Sequence, residues 1–413
     1  MTTEEEAIEE REEFEFIDPN DILAELPDDE DIPMDEDEDG EEEEKDGVGE
    51  LPSREQSESL VSSFREHQGS VFAVSCHPTQ PLAASGGEDD LGYIWDITDG
   101  ETIVKLTGHT DSVTSTAFSR DGEMIATGGM DGKVRIWRRH GKENYRTWEF
   151  LTELQGPDEV MWLRWHPKGT VLLAGSNDST VWLWQLPSGN TMQVFSGHTG
   201  PVQCGEFTPD GKRIVTACAD GLLILWDPRS TAPIFKLGPS NARFDMGGIT
   251  SVAINPSSTL AVVGGESGGI RVVSLSKGEI VGTPGGHTEG QSVEALSFVE
   301  PTGISGGAGL AVSGGADGKA YMWDLNTMRA RATLDHGEET ITAVLSHPVP
   351  RSPLVTTGSA DGTLKTWDAR TGTLLTVHKG NEGAVFSASL GLEGSVVVSA
   401  GDDGSCYVFT IDQ

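Results

Sequence analysis

Five sets of histidine, hydroxyl residue, aspartate and tryptophan recur along this 413-residue chain. They are His67, Ser85, Asp89 and Trp95; His109, Thr127, Asp131 and Trp137; His198, Thr216, Asp220 and Trp226; His287, Ser313, Asp317 and Trp323; and His336, Thr357, Asp361 and Trp367. A His-Asp pair with a neighbouring Ser or Thr is the inventory of a nucleophilic hydrolase, in which the ring takes the hydroxyl proton and the carboxylate orients the ring. Recurrence argues against that chemistry, because one active site needs the set once, and no repeat carries a nucleophile elbow or oxyanion loop. We therefore expect no enzyme. The same groups suit a buried network. The Asp accepts from the His and from backbone amides, the hydroxyl links the chain, and the Trp N–H closes it.

The stretch Lys105–Trp137 shows what must position such a set. Val113–Phe118 alternates as a half-buried strand does, Asp121-Gly122 is a tight turn, Met124–Thr127 is a second strand, Asp131-Gly132 turns again, and Val134–Trp137 is a third. The turn position recurs at Asp89, Asp131, Asp178, Asp220, Ser267, Asp317, Asp361 and Asp403, at intervals of 42 to 50 residues. A period in the forties with Gly-His and Trp-Asp signatures reads as a WD40 β-propeller, all-β, with four strands per blade and eight blades. Seven blades, with the fifth irregular or merged, is the alternative. Blades three, five and eight depart from the pattern: Pro157, Asp245 and Asn381 stand in the His place, Ala174 replaces a hydroxyl, and Ser267 and Val273 replace Asp and Trp. The chain ends on a third strand, Cys406–Phe409, and Leu60–Arg65 precedes the first His with no blade before it. Pairing the two closes the ring and removes exposed edges.

Charge divides the chain into an arm, residues 1–57, and the propeller, 58–413. Residues 1–50 hold 26 acidic residues against Arg11 and Lys45, out of a formal net charge of -39. So few apolar residues cannot offset chain entropy, and the arm reads as disordered. Within it, Asn20 could cap a short helix presenting Ile22, Leu23 and Leu26, as a docking segment or as a competitor for the basic ligand; plain disorder with incidental apolar residues is the alternative. Acidity in both parts argues against direct nucleic-acid binding and favours a basic protein partner. Cys76, Cys204, Cys218 and Cys406 have no metal-ligand spacing and read as reduced thiols, so neither metal nor cofactor is expected. With no signal-like N-terminus and no run able to span a bilayer, the expectation is a monomer of the cytoplasm, extending to the nucleus, without membrane contact.

In a propeller of this kind, the loop entering the first strand and the turn between strands two and three share one mouth of the ring. Asp111, Glu159, Glu289 and Glu338 stand two residues past the His place. Glu88, Glu266 and Asp402 immediately precede the turn position, while Phe72, Trp162, Glu294 and Phe386 enter the first strands. Carboxylates interleaved with aromatics suit arginine, which pairs with the former and stacks on the latter. The plainer alternative is a set of solvated loop acids.

Finer wording narrows the repeat class. Gly86–Asp90 leads to Trp95; Trp162-Leu163-Arg164-Trp165-His166-Pro167 is followed by Leu172-Leu173-Ala174-Gly175 and then Trp182–Gly189; blade five carries Val273-Ser274 and Lys277–Gly282. With the acidic arm, this resembles the angio-associated migratory cell protein family. Fungal members of that family are dedicated chaperones of a ribosomal protein. The resemblance implies capture of the basic N-terminal segment of newly made large-subunit ribosomal protein ten, of the universal L-sixteen family, and its delivery for ribosome assembly. Animal members are linked instead to cell migration. Two other readings stay open: a cullin-ligase adaptor, from the Trp-Asp-x-Arg boxes ending at Arg229 and Arg370, and a chaperone of another basic protein such as a histone.

Overall fold

Short apolar runs bounded by Asp-Gly turns cannot bury both of their faces alone; stacking them around an axis does so. The computed structural model describes residues 57–141, 145–299, 309–348 and 353–411. Apart from Ser57, the acidic arm and its 14–26 segment lie outside the described residues. Those residues form eight antiparallel four-stranded sheets. Blade two is representative: Val113–Phe118, Met124–Gly129, Val134–Arg139 and Trp148–Leu154 run from the axis outward. Each innermost strand packs against that of the next blade, and the eighth, Val385–Gly391, packs against the first, Val71–Cys76.

The core lies between blades. One cluster joins Leu82, Ala84, Ile94 and Leu106 of blade one to Phe118, Ile125, Trp137 and Trp148 of blade two. Each Leu, Ile or Phe among them, taken fully out of water, contributes about 1.5–3 kcal/mol. Blade five is regular, with strands Ile249–Ile254, Leu260–Gly265, Ile270–Ser274 and Glu279–Gly282. That settles eight blades over seven. One placement is corrected within it. A Cβ on Gly87 would lie 2.7 Å from His67 Nδ1, and one on Gly265 would lie 2.5 Å from Met246 Cγ. Met246, not Asp245, therefore fills the His place. An apolar side chain is tolerated there because Val273 has replaced the Trp and no polar network needs serving.

Closure follows the expected pairing. Leu60–Phe64 joins the last strand, Cys406–Thr410, in antiparallel register, with Ser62 opposite Val408, Ser63 opposite Tyr407 and Phe64 opposite Cys406. Phe64, 1% exposed, stacks on Trp95 of blade one at 5.0 Å, so the closing strand also joins the seam between blades eight and one. At the end of the channel remote from the mouth, His77 and His166 donate from Nε2 to the carbonyls of Gly122 and Gly211 in the following blade's first turn, at 3.1 and 3.0 Å. These His-Pro pairs tie neighbouring blades. His166-Pro167 stands in the blade-three wording quoted above, but residue type alone gives no sign of this tie.

Candidate functional site

The recurring polar sets fix the loops that form the mouth, and they differ from one another. In blade six, Trp323 Nε1 donates to Ser313, Ser313 donates to His287 Nε2, and His287 Nδ1 donates to Asp317, each at 2.8 Å. Asp317 also accepts from the amides of Thr288 and Lys319. In blades one and two the His-Asp and His-hydroxyl links form at 2.9–3.0 Å. There the Trp95 and Trp137 indole N–H groups bond nothing, which corrects the expected closing link. Blade four keeps Trp226, Thr216 and His198 in line, but Asp220 turns outward over Gly200 and His198 Nδ1 has no partner. In blade seven the ring is reversed: His336 Nδ1 meets Thr357, and Nε2 reaches Asp361 only through Thr363. The Nε2-to-Asp361 distance is 3.8 Å. Blade eight builds a substitute, with Ser399 donating to Asn381 and Tyr407 donating to Asp403. All five histidines are buried. Their bonds to hydroxyls and carboxylates organise the loops.

A second regularity sets what the mouth displays. In seven blades the innermost strand carries a one-residue bulge opposite the second strand, at Phe72, Thr114, Met161, Thr250, Glu294, Thr342 and Phe386. A bulge re-aims one side chain out of the ladder. Thr114, Thr250 and Thr342 turn that freedom into staples, donating to Val160, Val293 and Val385 of the following blade at 2.6–2.7 Å. Phe72, Met161, Glu294 and Phe386 make no such bond and face the mouth. Trp162 is therefore one residue out of phase. It is 6% exposed, donates Nε1–H to Val202 at 2.8 Å and packs between blades three and four. Met161 occupies the position that Trp162 was expected to hold. The Val/Ile-x-Ala/Ser wording shared by the other six bulges, laid on Val160-Met161-Trp162, would have found it.

Around these residues stand the acids. Glu88, Asp111, Glu266, Glu289, Glu294, Glu338 and Asp402 are exposed and Glu159 half-exposed. Among the described residues none of the eight has a Lys, Arg or His nitrogen within 4.0 Å, although fourteen ion pairs form elsewhere or within the tetrads. Two are drawn together at the seam of blades eight and one. Ser70 gives its amide to Glu88 Oε2 at 3.2 Å and its hydroxyl to Asp402 Oδ1 at 2.6 Å. Each carboxylate keeps its other oxygen free for a ligand. Phe72 and Phe386 lie at the same seam with centroids 5.9 Å apart. Met130, 47% exposed immediately before Asp131, adds an apolar neighbour on blade two that the sequence reading passed over.

Other candidate chemistry recedes. The four cysteines are unpaired, and burial pushes the Cys76 and Cys204 thiols up to about 12, far from a reactive thiolate. No His, Cys, Asp and Glu cluster among the described residues is arranged to hold a metal. No described helix is long and apolar enough to cross a membrane. Of the two Trp-Asp-x-Arg boxes, Arg370 turns onto Asp368 at 3.0 Å, whereas Arg229 is exposed and has no carboxylate within 4.0 Å among the described residues.

A closed ring of eight four-stranded blades with an unneutralised, sculpted mouth defines a WD-repeat propeller. The WD domain, G-beta repeat family model matches residues 58–96, 100–138, 148–185, 189–227, 329–368 and 372–410, leaving blade five and most of blade six unmatched although both are formed. The angio-associated migratory cell protein of Homo sapiens is 34% identical over 359 residues, covering 85% of this chain and 80% of that protein. The ribosome assembly protein SQT1 of Saccharomyces cerevisiae is 31% identical over 195 residues, 44% of each chain. The crystal structure of Chaetomium thermophilum Sqt1 bound to the N-terminus of ribosomal protein L10 superposes with a TM-score of 0.80 at 27% identity, over 86% of this chain and 100% of that one. The chain belongs to the WD-repeat proteins and, within them, to the angio-associated migratory cell protein family.

Proposed function

We propose that this protein is a dedicated assembly chaperone, and that its acidic mouth captures the basic N-terminal segment of a newly made large-subunit ribosomal protein, L10 or ten. The observation that carries the reading is the set of eight rim carboxylates without a cation partner, two of them joined through Ser70 beside the Phe72–Phe386 pair. Isolated carboxylates at a mouth attract a Lys/Arg-rich segment from a distance, and those beside an aromatic face accept a guanidinium in close contact. The structural relative bound to the L10 N-terminus supports the choice of partner. Such a segment, sheathed in acid, is kept from premature contact with RNA until it is delivered; capture of a newly made chain puts this reading in the cytoplasm, where translation runs, and one copy of the protein suffices.

The test is a titration of the purified protein with the basic N-terminal peptide of L10 at low and at physiological salt. Binding that weakens steeply with salt is expected. Weak, salt-insensitive binding would sink the electrostatic reading. Co-translational pulldown should recover the L10 message, and a histone or a ligase linker in its place would redirect the function.

A further inference from the structure

At the opposite end of the propeller, blades two to four carry a local excess of cations. On an acidic chain, Arg120 and Lys168 are exposed at the first turns of blades two and three, Arg229 at the third turn of blade four, and Arg164 on the innermost strand of blade three. None of the four has a carboxylate within 4.0 Å among the described residues. Of the nearby acids, Asp210 pairs with Lys212 and attracts Lys168 more distantly, and Asp227 pairs with Arg213 and attracts Arg229 more distantly. Glu123 is held by Arg139. Asp121 accepts from Ser119 and keeps its charge, so cations remain in local excess. Glu206 faces Arg164 inside the channel, but burial pushes its carboxyl up to about 7, so at neutral pH it only partly offsets that cation.

These four cations frame two adjoining grooves, of about 650 and 510 Å³, that meet at His166. Arg120, Arg164 and Lys168 edge the first, over a floor that includes Ala117, Leu163 and the half-buried Trp165. Arg229 edges the second beside Met192, which is 45% exposed. His166 gives its Nε2–H to Gly211 and accepts the Lys168 amide at Nδ1, so the ridge between the grooves is held rigidly.

We propose that this lower face of blades two to four is a second docking surface, which takes an acidic, partly apolar segment of a partner protein. Charge selects the sign of the ligand, and the apolar floor selects its kind. Aliphatic or aromatic side chains between carboxylates would fill the floor while the acids reach the framing cations. A nucleic-acid strand fits less well, because its continuous phosphate charge would have to run past a chain of net charge -39 on a footprint of four free cations. The mouth and this face lie at opposite ends of the channel, so a basic cargo and an acidic partner can be held together, as a handover requires.

The experiment uses the full chain and two fluorescent probes, a 12-residue peptide alternating Glu with Leu or Phe, and a 12-nucleotide oligouridine. The peptide should bind, with affinity reduced about tenfold or more in the Arg120→Glu, Arg164→Glu, Lys168→Glu, Arg229→Glu variant. The corresponding Gln variant should lose less, and both should keep the parent melting temperature to within ~2 °C. A saturating basic peptide at the mouth should leave the acidic peptide bound, and charge reversal of Glu88 and Asp402 should not weaken it. Absence of peptide binding, equal binding by the fourfold variants, or tighter binding of oligouridine than of the peptide would each overturn the proposal. Because the mouth variants are read separately, failure here leaves the cargo assignment standing, and the reverse holds as well.

Discussion

Phe72 and Phe386 stand 314 residues apart in sequence yet present rings 5.9 Å apart and inclined by 35°. Both are bulge residues of innermost strands, one in the first blade and one in the last, so only a closed ring brings them together. The closing strand Leu60–Phe64 thus assembles an aromatic platform that neither end of the chain owns. Ser70, two residues before Phe72, gathers Glu88 and Asp402 to the same seam.

That platform predicts a division between affinity and stability. Phe72→Ala and Phe386→Ala should each weaken the basic peptide by about 1 kcal/mol, roughly fivefold in Kd, the scale of a guanidinium over a partly exposed ring. Phe386 is 39% exposed, so its loss should move the melting temperature little. Calorimetric titration alongside thermal melts checks both. A large fall in melting temperature with unchanged affinity would make the pair a packing feature.

The carboxylates at the seam predict a kinetic signature. Glu88→Gln combined with Asp402→Asn should lower the association rate and flatten its dependence on ionic strength, because rim charges steer encounter more than they hold the complex. Stopped-flow association over a salt series is the measurement. Ser70→Ala should act in the same direction more weakly, since Asp402 loses the hydroxyl that positions it while Glu88 keeps the backbone amide.

Closure itself predicts a stability cost that the tetrads do not share equally. Phe64→Ala removes a fully buried ring stacked on Trp95 and should destabilise the propeller by about 3–5 kcal/mol. His287→Ala should cost about 1–3 kcal/mol or more, because it leaves Asp317 and Ser313 without their partner. His198→Ala should cost less than His287→Ala, since Asp220 already stands apart from that ring. Denaturant unfolding of the three variants ranks them.

Period and pairing were legible from the sequence because they rest on local patterns: turn residues, strand alternation and a missing fourth strand. Blade five kept its strands after losing Asp and Trp, since Val262, Val272 and Val273 still bury completely. What the sequence did not reveal is phase and orientation. Trp162 and Met161 are adjacent, and only the bulge decides which of them faces the mouth. Whether a His-Asp link closes depends on ring rotamer and loop path, as His336 and Asp220 show, and residue type carries no trace of either. The acidic rim was readable as composition. Its lack of cation partners is a three-dimensional property.

The buried titratable groups make two opposing contributions to stability between mild acid and neutrality. Burial pulls the His198 and His336 rings down to about 4, against ~6.5 in an unfolded chain. Between those values the unfolded state binds more protons than the folded one, so this contribution is present above ~6.5 and is lost as pH falls towards about 4. Burial pushes Glu206 up to about 7, against ~4.3 unfolded. There the folded state holds the extra proton, so its contribution is full below ~4.3 and is lost as pH rises through about 7. Glu206→Gln keeps the shape without the proton and should therefore stabilise the protein at pH above 7 while changing little in mild acid. At about 2 °C per kcal/mol for a domain of this size or smaller, a rise of a few degrees is expected. His198→Gln should do the opposite, shallowing the acid limb alone. Unfolding free energies measured across the pH range separate the two. An unchanged alkaline limb in Glu206→Gln would mean that the carboxylate is ionised and solvated inside the channel, facing Arg164 as an ordinary ion pair.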